Sequence, residues 1–345
     1  MRPMDEKDYT IFQNIAQTSQ DQLLKSLAKI LRTKYSSKNV IVNPDYILAE
    51  GNIPIMLVAH LDTVFHAPPR DIYYDSQKQV MWSPQGLGAD DRAGVFSIIK
   101  IIKQGYKPHI CFTTDEEVGA HGAMFLVEDL PKPPFEIKYI IELDRQGAND
   151  CVFYSCDNEE FENYVEEFGF VTDWGTFSDI SEICPKWKIA GVNLSVGYIN
   201  EHSIGEVLHT NFMYSTIKKV CKMLDAAAEA PSFEYKEDPL GFKGFGKYWR
   251  SVGGFTDEWE QYESKIICSQ CHKAVPFDSA VKVRDKDIPG VASYYCVDCL
   301  TKTDDVEYCM LCGEPFVKRY DNDKICVNCR NHYPGVTVTN GSSKN

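Results

Sequence analysis

Residues 53–62 read Ile-Pro-Ile-Met-Leu-Val-Ala-His-Leu-Asp. The run from Ile53 to Ala59 is apolar and of strand length, and it delivers the chain into a histidine and, two residues on, an aspartate. Apolar runs of the same kind stand at Val40 to Val42, His109 to Thr113 and Ile137 to Leu143, alternating with helical segments such as Gly94 to Lys103. Lys188 to Val196 and the helical stretch Phe212 to Ala228 continue the series. Such alternation needs crossovers that lay helices on the sheet faces, so the expected fold is α/β, with a mostly parallel central sheet flanked by helices. Ahead of the first strand, Ile11, Ile15, Leu23, Leu27 and Leu31 recur at three- and four-residue spacing. That spacing predicts one opening helix from Asp8 to Lys34 with a single buried face.

The chain has 345 residues, 43% hydrophobic and 25% charged, which fits one sizeable domain ending near residue 230 plus a smaller unit. No apolar run approaches the roughly 20 residues that span a bilayer. Met1 to Lys7 is mixed in charge and does not read as a secretory signal, so a cytoplasmic location is expected. A net charge of −14 repels nucleic acid and anionic membrane, and no basic patch reverses it. Of thirteen cysteines, eight form four C-x-x-C pairs after residue 265, a metal-binding rather than a cross-linking pattern. The other five, Cys111, Cys151, Cys156, Cys184 and Cys221, read as buried reduced thiols.

In an open α/β sheet, functional groups gather where strands end. Here His60 and Asp62 follow the first long strand, a spacing suited to a metal ligand and the carboxylate that orients it, although a structural pair would look the same. Gly86-Leu87-Gly88-Ala89-Asp90-Asp91-Arg92-Ala93-Gly94 brings two aspartates to a helix start, where they could instead serve as caps. Asp115-Glu116-Glu117 follows an apolar strand directly; three like charges are either a solvated loop or ligands facing a cation. Asp144 closes another strand, and His202 follows a fifth. Taken jointly, imidazoles and carboxylates at successive strand ends fit zinc, and two zincs bridged by a carboxylate suit amide hydrolysis.

The series H-L-D-T-V, G-A-D-D-R-A-G, D-E-E-V-G, E-L-D and G-Y-x-N-x-H-S resembles the co-catalytic dizinc exopeptidase superfamily, over roughly residues 40 to 225. The resemblance implies that Asp90 bridges two zincs, with His60 and Asp144 completing one site and Glu117 and His202 the other. It also implies that Asp62 orients His60 and that Glu116 is the general base acting on the bridging water. Relatives such as tripeptidase T carry a lid of about a hundred residues between the last aspartate and the last histidine. Asp144 and His202 are only 58 apart, so a lidless arrangement is expected. Gly175-Thr176-Phe177-Ser178-Asp179 and Ala190-Gly191-Val192-Asn193 resemble the lidless aminopeptidase branch, which makes Asp179 a substrate-site candidate. His209 competes with His202 as the last ligand; His66, His109 and His121 carry no such pattern.

Residues 231–265, with glycines and many aromatics such as Phe233, Tyr248, Trp249 and Trp259, form a connector expected to pack rather than to stay loose. Cys268/Cys271, Cys296/Cys299, Cys309/Cys312 and Cys326/Cys329 give two closed Cys₄ sites, structural in character, in a zinc module over 266–335. Sequential pairing closes loops of 24 and 13 residues, as in tandem zinc ribbons or a LIM-like arrangement; cross-braced pairing is the alternative. With ten basic and ten acidic residues from 266 onward, the module is neutral and suits protein docking or self-association, not nucleic acid. Residues 336–345 read as a disordered tail.

The functional expectation is a zinc-dependent aminopeptidase- or exopeptidase-like hydrolase, with two co-catalytic and two structural zincs, acting on small peptides or acylated amino acids. The alternatives are a deacylase of non-peptide amides, or an idle scaffold with a zinc-finger docking module.

Overall fold

The computed structural model describes residues 3–237 and, beyond them, 265–268, 270–271, 273–276, 280–284, 292–300, 302, 306–310, 315–318 and 323–332. The chain divides into two compact units, Met1–Gly254 and Phe255–Asn345.

The first unit opens with two helices rather than one, α1 (Glu6–Ala16) and α2 (Gln20–Lys34). The break lies at Thr18 and Ser19. The Thr18 hydroxyl turns back to the Asn14 carbonyl, and Ser19 takes an extended conformation as the residue preceding α2. Hydroxyl residues compete in this way with the helical ladder, so the apolar spacing runs on across a break that it cannot report.

Eight strands form the central sheet: β1 (Val40–Val42), β2 (Tyr46–Ala49), β3 (Ile53–His60), β6 (Pro108–Thr113), β7 (Tyr139–Arg145), β8 (Asp150–Val152), β9 (Val171–Thr172) and β10 (Gly191–Ser195). Their order is β1-β2-β6-β3-β7-β10-β8-β9, and the four central strands, β6, β3, β7 and β10, run parallel. Antiparallel pairing is confined to β1–β2, β2–β6 and β10–β8, so the fold is α/β with a largely parallel centre. The whole of β6 and all but the first two residues of β3 are buried, as strands covered on both faces must be. Helices α3 (Ala89–Lys103), α4 (His121–Asp129), α5 (Glu159–Glu166), α6 (Asp179–Trp187) and α7 (Thr210–Asp225) complete the unit.

The four parallel strands share one C-terminal edge, and there His60, Thr113 and Asp144 fall in neighbouring strands. Helix α3 starts against that edge. A Cβ on Gly94 would sit 2.0 Å from the Leu143 carbonyl oxygen, so only glycine lets the first turn of α3 lie this close to β7.

A second sheet, in the order β11-β12-β5-β4, is built from β4 (Tyr73–Asp75), β5 (Val80–Trp82), β11 (Tyr198–Ile199) and β12 (Val207–His209). It holds the hairpin loop that carries His202. Between Asp144 and His202 the described chain is used up by strands of these two sheets and by α5 and α6, and no separate domain is inserted.

The unit extends past residue 230. Phe233 is buried among Tyr139, Phe161 and Tyr164, and its backbone bonds to Lys138 and Ala190. Most of the proposed connector, 238–264, and the tail 336–345 lie outside the described residues. Among the described residues no helix is long and apolar enough to cross a membrane. All five scattered cysteines are buried free thiols.

His109, on β6, shows how burial fixes a proton state. Its Nδ1 accepts the Gly51 N–H at 3.0 Å, Nε2–H donates to the Glu136 carbonyl at 3.0 Å, and the ring stacks on Phe135. Burial pushes its pKa down to about 4. The folded state therefore prefers neutral His109. Its stabilisation is present above the unfolded value near 6.5 and is lost as pH falls through 4, a loss on the order of 3 kcal/mol. Thermal unfolding followed from pH 7 to 4 is expected to steepen below pH 6.5 and to flatten in His109→Gln. Equal slopes in both proteins would remove His109 as the cause.

In the second unit, β13 (Lys265–Ile267) pairs with β14 (Ala274–Pro276). A four-stranded sheet runs β16-β15-β18-β17, from β15 (Ala280–Arg284), β16 (Ala292–Cys296), β17 (Val306–Tyr308) and β18 (Pro315–Val317). Cys268, Cys271, Cys296 and Cys299 converge with their sulfurs within 4.8 Å of one another, and Cys309, Cys326 and Cys329 do the same. Cys312 lies outside the described residues. The grouping is sequential, not cross-braced. Backbone N–H groups of Cys271 and Cys296 bring the Cys268 thiol down to about 6, which favours the thiolate form that binds metal.

Candidate active site

Each acidic or imidazole group at the sheet edge is placed by a different element, and the placement brings five of them into one cluster. His60 ends β3, Asp144 lies near the end of β7, and Asp90 sits in the kinked first turn of α3. Glu117 lies in the loop after β6, and His202 in the loop between β11 and β12.

Asp90 is shared. Its Oδ1 lies 3.2 Å from His60 Nε2, and its Oδ2 lies 3.2 Å from His202 Nε2. His60 Nε2 is also 3.4 Å from Asp144 Oδ1, and His202 Nε2 is 3.0 Å from Glu117 Oε2. Two potential ligand sets result, His60–Asp90–Asp144 and Asp90–Glu117–His202, each with its ligand atoms within 4.8 Å of one another. His209 is outside the cluster; its ring lies against Phe212 and its N–H bonds to the Gly197 carbonyl.

Asp62 organises two neighbours at once. Its Oδ1 lies 3.2 Å from His60 Nδ1 and accepts the Glu116 N–H at 3.0 Å, while Oδ2 accepts the Glu117 N–H at 3.0 Å. With Nδ1 directed at Asp62, Nε2 of His60 is the nitrogen that faces Asp90 and Asp144. The loop after β6 is held from the far side by Gln20 on α2, whose amide exchanges two hydrogen bonds with Asp115.

Asp144 has its own frame. Ser178 Oγ and Tyr198 OH each donate to its carboxylate at 3.1 Å. Its backbone is clamped by Asn193 on β10, which accepts the Asp144 N–H and donates to its carbonyl. Ser178 lies in the segment whose resemblance made Asp179 a substrate-site candidate, yet it and Asn193 both face Asp144. Asp179 is fully buried and accepts the Thr113 hydroxyl, so it does not open to solvent.

The electrostatics show a strong demand for positive charge. Burial depresses His60, but Asp144 and hydrogen bonds to Asp144, Asp62 and Asp90 outweigh it and raise its pKa well above the ordinary value. Hydrogen bonds to Asp90 and Glu117 push His202 up to about 11. Burial raises Asp90, but His202 and His60 overcome it and hold its carboxyl below the usual range. Burial and the Asp90 charge push Asp144 up to about 7. Burial, with Asp144, Asp179 and Glu117 adding to it against His60, pushes Glu116 up to about 9.

Among the described residues no lysine or arginine pairs with these carboxylates. Arg92 donates to the Ile15 carbonyl, and Arg145, next to Asp144 in sequence, pairs with Asp173 at 2.6 Å. Glu117 Oε1 is buried without a hydrogen-bond partner. An orphaned carboxylate oxygen on Glu117, in a cluster where two imidazoles face three carboxylates, is what divalent cations would satisfy, and the donor set of imidazole and carboxylate suits zinc.

Residues 39–171 match Peptidase family M28. That segment contains His60, Asp62, Asp90, Glu116, Glu117 and Asp144 and ends before His202. No curated protein matches the chain. Among solved structures, aminopeptidase PepT from Bacillus cereus ATCC 10987 is similar with a TM-score of 0.50 and 16% identity, over 65% of this chain and 98% of that one. A tripeptidase from Staphylococcus aureus subsp. aureus mu50 gives 0.51 and 13%, over 67% and 100%. At such identities the likeness is one of fold. Residues 39–171 thus resemble Peptidase family M28, the first unit shares its fold with these aminopeptidase and tripeptidase structures, and a unit with cysteine clusters follows it.

Proposed function

We propose that the first unit is a zinc-dependent, aminopeptidase-like hydrolase that cleaves a peptide or related amide bond, with Glu116 taking the proton of the attacking water. The observation that carries this reading is Asp90, whose two carboxylate oxygens each face a different histidine, so that one side chain serves two adjacent ligand sets.

His60 and Asp144 would hold one ion, Glu117 and His202 the other, and Asp90 both. Two zinc ions in such a site acidify a water and offset the negative charge that develops on the scissile carbonyl oxygen. The chain supplies the rest. Asp62 fixes the His60 tautomer and, through the Glu116 and Glu117 N–H groups, the direction in which the base and its neighbouring ligand leave the backbone. Glu116, whose N–H is held by Asp62 beside the ligand cluster, would take a proton from the attacking water and return it to the departing amine. Tyr198 and Ser178 keep the Asp144 carboxylate turned toward His60.

Short peptides and acylated amino acids are the proposed substrates, and the cytoplasm the proposed location. We assign the cysteine unit two structural zincs and a role in protein docking or self-association. The reading is tested by metal analysis of the full chain together with an assay against unblocked and N-acylated short peptides. About four zincs per chain and release of N-terminal residues are expected. Zinc confined to the cysteines, with no turnover of any peptide, would refute it.

A further inference from the structure

We infer that Glu206 is a positioning residue of this site: its buried carboxylate ties the loop bearing His202 to the helix start bearing Asp90, and thereby sets the spacing of the second ligand set. The inference rests on the dinuclear reading above.

Glu206 lies four residues after His202, at the end of the loop between β11 and β12, and is 1% exposed. Its Oε2 accepts the Ala89 N–H at 2.9 Å, and its Oε1 accepts the Asp90 N–H at 3.1 Å. Those N–H groups open α3, where the backbone has no intrahelical acceptor for them and where the helix dipole favours a negative charge. The residue ahead of α3 is Gly88, which has no side chain to cap the helix, so the acceptor comes from 117 residues downstream of Ala89.

The loop itself is tightly wound. Ser203 Oγ donates to the Asn200 carbonyl at 2.7 Å, the Glu206 N–H donates to the Ser203 carbonyl at 3.1 Å, and Asn200 and His202 both adopt positive φ. A stiff loop with one buried anchor transmits the anchor's position to its tip. His202 needs this because its side chain is 55% exposed, with little packing to hold it where it meets Asp90 and Glu117. A purely local helix cap would be served by a residue beside the helix. A carboxylate from the opposing ligand loop instead joins the two elements whose separation defines a metal site, and hydrogen bonds behind metal ligands typically govern affinity by 10–100-fold.

Glu206→Gln keeps the size of the side chain but offers one acceptor and one amide donor to two N–H groups, so one of them loses its partner and faces another donor. The test uses the full chain stripped of metal and titrated with cobalt(II), whose thiolate charge-transfer bands report the cysteine sites separately from imidazole–carboxylate sites, followed by activity measured against added zinc. Glu206→Gln is expected to weaken one equivalent at the imidazole–carboxylate site by about 10–100-fold, to leave the cysteine bands unchanged, and to regain kcat at high zinc with KM near wild type. Melting of the metal-free protein, compared with that of Glu206→Ala, separates lost positioning from general damage. Unchanged metal affinity in Glu206→Gln would overturn the inference while leaving the dinuclear reading intact. The same holds for loss of activity that added zinc cannot restore. Wild-type protein that binds cobalt only through thiolates would overturn both.

Discussion

Glu116→Gln is expected to lower kcat by about 10²- to 10⁴-fold, the range lost when a positioned general base is removed, with metal content and KM close to wild type. Glutamine preserves the shape of the side chain and the backbone N–H that donates to Asp62, so the loop should hold its course. Glu116 is also absent from both ligand clusters, which leaves the ions with their full donor sets. What the substitution removes is the carboxylate proposed to take the proton of the attacking water. The measurement is steady-state kinetics on a short unblocked peptide together with metal analysis. Turnover within about tenfold of wild type would assign the base elsewhere.

Asp90→Asn should have the larger effect on metal. An asparagine has a single acceptor oxygen, so it cannot face both His60 and His202 as the two carboxylate oxygens do. Both ligand sets therefore lose a member at once, and activity should fall to background while the metal held by the cysteines stays. The contrast with Glu116→Gln is diagnostic: one variant keeps the metal and loses the chemistry, the other loses the metal. If Asp90→Asn retained full metal content, the shared-carboxylate assignment would fall. Circular dichroism of the metal-free proteins should show the fold unchanged, because Asp90 lies at the sheet edge rather than among the apolar side chains of the core.

The convergence of the candidate ligands was legible because most of them follow apolar runs. His60 and Asp144 stand at or next to the ends of β3 and β7, and Asp115 to Glu117 follow β6, so reading the strands located them. Asp90 was readable only as one of a pair, and family order chose between it and Asp91. The structure gives the physical difference: Asp91 turns inward, accepting the Gly94 and His60 N–H groups, whereas Asp90 faces both histidines.

Other features left no local trace. Tyr46 to Ala49 pairs with β6 as an antiparallel strand, and the β5–β12 pairing joins residues about 127 positions apart; neither follows from periodicity. Gln20, Tyr198 and Glu206 act on partners between 54 and 117 residues away, and no spacing rule anticipates contacts of that range. Glu206 had one available sign, a carboxylate shortly after His202 in a chain otherwise turning into a strand. The break between α1 and α2 is the reverse case, a local event hidden beneath an uninterrupted apolar stripe.

The second unit's four-stranded sheet passes from one cysteine cluster to the other, because β15 pairs with β16 on one side and with β18 on the other. Among the described residues, its apolar support around the second cluster is Phe316 and Ile325, packed with the cysteines themselves. Withdrawing metal from either cluster would therefore loosen a ladder that both clusters share, and a loosened ladder presents unpaired N–H and C=O groups along its edge. For this chain, a strong chelator would do more than silence an enzyme. It would expose strand edges that recruit other strands, so association that appears only once metal is withdrawn would differ in kind from the docking role proposed for the unit.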